Sequence, residues 1–164
     1  MSGDDRPEDA RFEDGVERAL RLRAETAEDL AVISALTQDA IGQTSEIAWM
    51  PRRRRFAMLL NRFRWEDDAA ARRQGRPFER VQALLRIDGA LRARANGIDP
   101  KDRDLVLSLL AIHFEPGEDG AGVLRLVLAG DGEIALDVEC LDVGLTDVSR
   151  PYLAPSGRAP DHPR

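Results

Sequence analysis

Alternation of apolar and polar residues, interrupted by short turns containing glycine and aspartate, is the feature that most constrains the fold of this chain. In "VLRLVLAGDGEIALDVEC", residues 123–140, two sets of alternate apolar residues each share a face: Leu124, Leu126 and Leu128, then Ile134, Leu136 and Val138. A period of two is typical of a strand with one buried face. The stretch therefore predicts an antiparallel hairpin.

The register of this hairpin is predicted from the requirement that its apolar faces be buried together. A two-residue turn would set the apolar face of one strand against the polar face of the other. A three-residue loop over residues 130–132 instead pairs Leu126 with Leu136, which unites the two apolar faces. The loop requires a left-handed backbone at Gly132. It also places Cys140 on the buried face.

Six other stretches have strand character and are separated by polar or glycine-containing connections. They are "LRLRAE" (20–25), "EIAWM" (46–50), "RFAMLLNRFRW" (55–65), "ERVQALLRI" (79–87), "ALRARA" (90–95) and "LVLSLLAIHFE" (105–115). The dipeptide at residues 88–89, Asp–Gly, is a strong signal for a two-residue hairpin between its neighbours.

One long helix is predicted, over residues 27–41. Thr26 is a suitable N-cap with Asp29 three residues later, and Gly42 is a suitable C-terminal stop. The elements together predict an α+β fold, a curved, mainly antiparallel sheet or partly closed barrel of about eight strands, with the helix covering one face or end.

The two ends of the chain are predicted to be disordered tails. Residues 1–18 are acidic and residues 151–164 are rich in proline, so neither segment has enough apolar surface to offset the cost of ordering. Residues 19–150 are predicted to form a single globular domain. One cysteine excludes an internal disulfide, and no apolar run is long enough to span a membrane. These features lead us to expect a cytoplasmic protein that does not contact a membrane.

Charge is distributed unevenly along a chain whose net charge is −6. Residues 47–98 contain 13 arginines and 5 acidic residues, whereas each flank has a net charge of −7. A basic centre between acidic flanks predicts an interaction with an acidic partner. That partner is expected to be an acidic protein or a second copy of the chain. Nucleic acid is the weaker alternative because the whole chain is acidic, with a pI near 5.0.

The basic centre predicts which residues would bind such a partner. The pairs 62 and 64, 80 and 86, and 92 and 94 are arginines that share a strand face, and Trp49 and Phe63 lie near them in sequence. The run of four arginines at 52–55 follows Pro51 and is predicted to lie at a hairpin turn. The candidate binding residues are Arg53, Arg55, Arg62, Arg64, Arg92, Arg94 and Trp65.

Sequence motifs for catalysis, metal binding or cofactor binding are absent from the chain. The potential soft ligands His113, His162 and Cys140 are too few for a closed zinc site, and the glycine-rich loops do not open a helix as phosphate loops do. We therefore expect no metal and no cofactor. A non-enzymatic binding domain is the favoured hypothesis, and the alternative is an enzyme in which His113 or Glu139 is a general acid or base.

Four segments, in order along the chain, resemble a known family. They are "EDLAVISALTQDAI", "IAWMPRRRRFAMLLNRFRWE", "LSLLAIHFEPGE" and "LDVECLDVGLTDV". They are similar to an uncharacterised family of small alphaproteobacterial proteins, a domain of unknown function. The resemblance runs from about Leu20 to Val148. It implies one compact cytoplasmic domain, and it implies no activity, cofactor or catalytic residue.

Overall fold

The computed structural model describes residues 19–75, 78–99 and 101–153. The predicted tail at 1–18 and the part of the second predicted tail from 154 onwards lie outside the described residues. The elements in chain order are β1 (Arg21–Ala24), α1 (Ala27–Leu36), β2 (Ala40–Gln43), β3 (Ile47–Met50), β4 (Arg55–Phe63), α2 (Asp68–Gln74), β5 (Glu79–Asp88), β6 (Ala90–Asn96), β7 (Val106–Pro116), β8 (Gly122–Leu128), β9 (Glu133–Val138), β10 (Val143–Asp147) and β11 (Tyr152–Leu153).

The strands form one sheet in the order β1-β10-β5-β4-β2-β7-β8-β9-β6, and β11 and β3 add to β5 and β4 respectively. All strand pairs in the described part of the chain are antiparallel. The end strand β6 bends back towards β4, where the Ala90 amide donates to the Arg54 carbonyl over 2.9 Å. The predicted α+β class and antiparallel sheet are confirmed. The sheet is not closed, and the described part of the chain contributes eleven strands to it where about eight were predicted.

The core is assembled from residues that lie opposite one another on neighbouring strands. Met58, Leu85 and Leu145 form one such row across β4, β5 and β10, and all three are fully buried. Helix α1 adds Leu30 and Ile33 to the same cluster. Side chains on one strand face thus pack continuously across the curved sheet.

The predicted helix over residues 27–41 is too long, because α1 ends at Leu36. Its predicted N-cap is confirmed, since the Thr26 hydroxyl accepts a hydrogen bond from the Asp29 amide over 3.1 Å. Asp39 then takes a left-handed φ of 65°, and Ala40 begins strand β2. The apolar residues that extended the helical pattern belong instead to a strand paired with β7. Periodicity alone could not separate these two readings over so short a segment.

The predicted hairpin is present as β8 and β9, with both apolar faces united, but its predicted register is wrong by two residues. Leu126 lies opposite Ile134, and the loop occupies residues 129–131. Aspartate tolerates the left-handed conformation, and φ is positive at Gly130 and Asp131. Gly132 remains in the ladder, where a Cβ would lie 2.9 Å from Ile98. Cys140 is exposed, contrary to prediction, because β9 ends at Val138 and the alternation of faces does not continue to residue 140.

The hairpin predicted at residues 88–89 does not form, because β5 and β6 pair with different strands. Gly89 has a positive φ of 75°, and its carbonyl accepts from the Glu139 amide over 2.9 Å. The Asp88 amide donates to the Asp142 carbonyl over 3.0 Å. The chain therefore bends at residue 89 and does not reverse there. It leaves the strand that pairs with β4 and continues alongside β9.

Candidate functional site

Arg62 lies in the interior of the protein, with no exposed surface. Its guanidinium donates through Nε and Nη2 to the Asp147 carboxylate, and through Nη1 and Nη2 to the Glu66 carboxylate. Nη1 also donates to the Phe63 carbonyl, and all five bonds are 2.9–3.1 Å long. These five bonds use all five N–H donors of an arginine. A guanidinium satisfied in this way connects β4 to β10 and has no donor left for an external partner.

Burial and the positive charge of Arg62 have opposing effects on the pKa of the Glu66 carboxyl. Burial raises the pKa of its carboxyl, but the hydrogen bonds and positive charge of Arg62 outweigh that effect and lower the pKa below its usual 4.5. The folded state thus binds a proton at Glu66 less readily than the unfolded state does. The resulting stabilisation is complete above the ordinary pKa and is lost as the pH falls through the lowered one.

This linkage predicts the acid behaviour of a Glu66→Gln variant. Near neutral pH the variant should be less stable than the native chain, because Arg62 loses a charged partner. As the pH falls below about 4.5, the native free energy of unfolding should decrease more steeply, and the two curves should converge. Urea denaturation across the acid range measures both curves. If the two free energies of unfolding differed by the same amount at every pH, Glu66 would not be the charged partner of Arg62 that this prediction requires.

The predicted site residues nearest Arg62 are also engaged within the protein. Arg64 is buried and pairs with Glu79. The Trp65 indole nitrogen donates to the Gln38 carbonyl over 3.0 Å. The Arg80 guanidinium lies 3.9 Å from the centre of the Phe63 ring. The structure therefore does not bring the arginines of β4 and β5 together with aromatic rings on one exposed surface.

Three further arginines of the basic centre are paired with acids near the surface. Arg54 pairs with Glu139, while Arg55 and Arg86 both pair with Asp88. Burial raises the pKa of the Asp88 carboxyl, but the hydrogen bonds and positive charges of Arg86 and Arg55 together outweigh it and lower the pKa below its usual value. Much of the basic charge in the centre of the chain is thus compensated by the chain's own acids.

Four arginines of the basic centre are exposed and have no ion pair with any described residue: Arg52, Arg53, Arg73 and Arg92. Arg73 lies apart on α2, and we refer to the other three, Arg52, Arg53 and Arg92, as the turn–β6 arginines. Pro51–Arg53 form a 3-10 turn after β3, as predicted, and Arg54 completes it with a left-handed φ of 53°. Because the turn contacts β6 through the bond between Ala90 and Arg54, it lies beside the start of the strand that carries Arg92.

The residues of the enzyme alternative are not brought together. His113 lies on β7 opposite Arg125, two strands away from the end of β9 that precedes Glu139. His113 borders a shallow cleft between α1 and β7, and no carboxylate lines that cleft. Glu139 is paired with Arg54. In the described part of the chain, His113 and Glu139 therefore do not form the acid–base pair that this alternative would use.

A cavity of about 290 Å³ lies between β3 and β6, and we refer to it as the β3–β6 pocket. Its apolar lining is Ile47, Trp49, Phe56, Ala93, Ala95, Ile98 and Ile134. Its polar lining is Thr44, Arg94 and Arg103, with no carboxylate. The Nη2 of Arg94 donates to Asp137, but its Nε is buried and makes no hydrogen bond. Arg103 is exposed and has no ion pair with a described residue.

Sequence reasoning identified only part of this pocket. Arg94 was a predicted site residue, and Trp49 was expected near the basic strands. Arg103 was missed because it lies outside the arginine-rich segment, in a stretch with more acids than bases. Its one local signal, a base between Asp102 and Asp104, does not indicate a pocket.

Neither a group of potential metal ligands nor a membrane-spanning helix occurs in the described ranges. Residues 19–75, 78–99 and 101–153 contain no group of three or more His, Cys, Asp or Glu side chains arranged to hold a metal ion. Within the same ranges, both helices are too short and polar to cross a bilayer.

The described residues form an α+β sheet domain in which several surface arginines, among them Arg52, Arg92 and Arg103, have no ion pair with a described residue. The family model "Protein of unknown function (DUF2948)" matches residues 20–162. The chain belongs to this family. No curated protein and no solved structure matches it.

Proposed function

We propose that this chain is a non-enzymatic binding domain that engages an acidic protein through the turn–β6 arginines. The single observation that carries the proposal is the contrast between these three side chains and five other arginines of the basic centre. Arg54, Arg55, Arg62, Arg64 and Arg86 all pair with acids of the chain. Arg52, Arg53 and Arg92 are exposed without such partners, so their charge is available to another molecule.

An acidic protein segment suits this surface better than a nucleic acid does. Both flanks of the basic centre carry a net charge of −7, and a long polyanion would be repelled by them. Single-stranded nucleic acid also requires exposed aromatic rings for stacking, whereas Trp65 donates to Gln38 and Arg80 covers Phe63. The lone cysteine supports a cytoplasmic setting for the interaction.

Replacing all three turn–β6 arginines by glutamine should weaken binding to an acidic peptide by about tenfold. Exposed ion pairs each contribute on the order of 0.5 kcal/mol, so three give about 1.5 kcal/mol, which is close to a factor of ten. Fluorescence anisotropy of a labelled oligoglutamate peptide measures the affinity. Binding by the native chain should weaken as salt is added, because exposed charges are screened.

The matched control is a triple variant, Arg21→Gln, Arg73→Gln and Arg150→Gln, which removes the same charge from exposed positions elsewhere. It should bind almost as tightly as the native chain. Equal loss in both triple variants would show that net charge alone governs binding and would contradict the proposal. Tighter binding of single-stranded DNA than of oligoglutamate would favour nucleic acid, and sedimentation as a dimer would favour a second copy of the chain.

A further inference from the structure

We infer that the β3–β6 pocket binds a small organic carboxylate that carries one apolar ring, with its anionic end between Arg94 and Arg103. This site is distinct from the turn–β6 arginines, and it would serve a small molecule rather than a protein. Three observations carry the inference: the shape of the cavity, an unsatisfied donor in its wall, and its charge.

The cavity has the size and lining of a site for a single ring. Its volume of about 290 Å³ lies just below the range typical of ligand pockets, about 300–1,000 Å³. An apolar cavity of about 150 Å³ already accepts benzene. Phe56 and Ile134 are almost completely buried, and they give the cavity apolar surface, while Trp49 supplies a flat aromatic side chain for ring contact.

The pocket lies where the sheet leaves a gap. Among the described residues, β3 pairs only with β4 and β6 pairs only with β9, so no strand joins β3 to β6. Both strands contribute to the lining of the cavity. The gap therefore gives a small molecule access to the apolar interior, as the open end of a barrel does in many ligand-binding folds.

Arg94 provides a donor that the protein leaves unused. Buried polar groups are nearly always hydrogen-bonded, yet the Nε of Arg94 has no acceptor. The Nη2 of the same guanidinium donates to Asp137, which holds the group in place. A carboxylate oxygen is the acceptor that a guanidinium binds best. The Nε itself is buried, but the Arg94 side chain is 38% exposed and its Nη1 makes no hydrogen bond with a described residue, so Nη1 is the donor open to a ligand carboxylate.

The charge of the pocket selects a monoanion. Asp137 offsets the charge of Arg94, and no carboxylate lines the cavity, so the unpaired Arg103 leaves about one positive charge. A carboxylate carries one negative charge at neutral pH, whereas a phosphate monoester carries about −1.5 to −2. The ligand class that fits is therefore an aromatic or cyclic monocarboxylate.

Trp49 provides a direct readout of occupancy. The chain has two tryptophans, so a Trp65→Phe variant leaves Trp49, in the pocket, as the only one. Titration of this variant with phenylacetate should change the Trp49 fluorescence with a saturable dependence on concentration. Phenylacetamide, which has the same ring and no charge, should bind at least tenfold more weakly, because its neutral carbonyl cannot form an ion pair with either arginine.

Two further substitutions in the Trp65→Phe background locate the site. Arg103→Gln should weaken phenylacetate binding roughly tenfold or more, and Ala95→Leu should abolish it by filling the cavity. Arg73→Gln, at an exposed position on α2, is the matched control and should leave binding unchanged. Because Arg103 is exposed and unpaired, its variant remains informative if Ala95→Leu folds poorly.

Three results would overturn the inference. They are equal affinity for phenylacetate and phenylacetamide, unchanged phenylacetate affinity in Arg103→Gln, and no saturable response to phenylacetate, benzoate, cinnamate or cyclohexanecarboxylate. The triple glutamine variant of the turn–β6 arginines should bind phenylacetate normally. Arg103→Gln should bind oligoglutamate normally, so failure of this inference is distinguishable from failure of the proposed function.

Discussion

Replacing Arg62 by methionine is expected to lower the free energy of unfolding by about 3–5 kcal/mol, the cost of breaking a buried ion pair by removing one partner. Methionine has a comparable length and no charge. It would leave the Asp147 carboxylate, 3% exposed, without the two bonds that it accepts from Arg62. A domain of this size is stable by only about 5–15 kcal/mol. Urea denaturation followed by circular dichroism measures the loss.

The matched control for this variant is Arg54→Met, which breaks a surface ion pair with Glu139. Both side chains of that pair are about half exposed, so its removal should cost at most about 1 kcal/mol. The two variants make the same chemical change at a buried and an exposed position of the basic centre. Similar losses in both would show that Arg62 is not the structural residue that its five hydrogen bonds imply.

Leu85→Ala is expected to lower the free energy of unfolding by about 2–5 kcal/mol. Leu85 is fully buried on β5, between Met58 on β4 and Leu145 on β10. Truncation removes apolar contacts on both sides and leaves a cavity that the flanking strands cannot close without breaking their ladders. Thermal and urea denaturation of the variant test this row of residues as the centre of the core.

Leu91→Ala is the control for Leu85→Ala. Leu91 lies on β6 at the irregularity in the pairing with β9, and it is 52% exposed. Its truncation should change stability by no more than about 0.5 kcal/mol, as is usual for surface substitutions. A loss at Leu91 that equals the loss at Leu85 would contradict the core placement.

The fold could be predicted where local pattern and burial agree. Alternation of leucines predicted the strands of the 123–140 hairpin and the union of their apolar faces, because a period of two leaves one solution for burial. It could not give the exact register. The loop adopted by the chain uses Asp131 in a left-handed conformation, and glycine was the expected residue. The Asp–Gly pair at 88–89 similarly predicted a hairpin turn. The strands with which β5 and β6 pair, however, are far away in sequence, so the local pattern could not show that these two strands do not pair with each other.

The candidate site was harder to predict, because burial of a charged residue depends on partners far away in sequence. Arg62 and Arg64 lie in the same arginine-rich segment as the exposed Arg52 and Arg53, and nothing local distinguishes them. The partner that holds Arg62 in the interior, Asp147, is 85 residues away. The place of Arg103 in the pocket could not be predicted for the same reason, since only the fold brings its loop to the gap between β3 and β6.

The most direct test of the account is an NMR titration that observes the arginine Nε–Hε groups while oligoglutamate is added. Arg62 and Arg64 should exchange slowly with water and keep their shifts, because their guanidinium groups are buried and paired. The Nε–Hε groups of Arg52, Arg53 and Arg92 should exchange fast with water, and their chemical shifts should change as peptide is added. Chemical-shift changes confined to Arg21, Arg73 and Arg150, or no change at any arginine, would contradict the claim that the turn–β6 arginines bind an acidic partner.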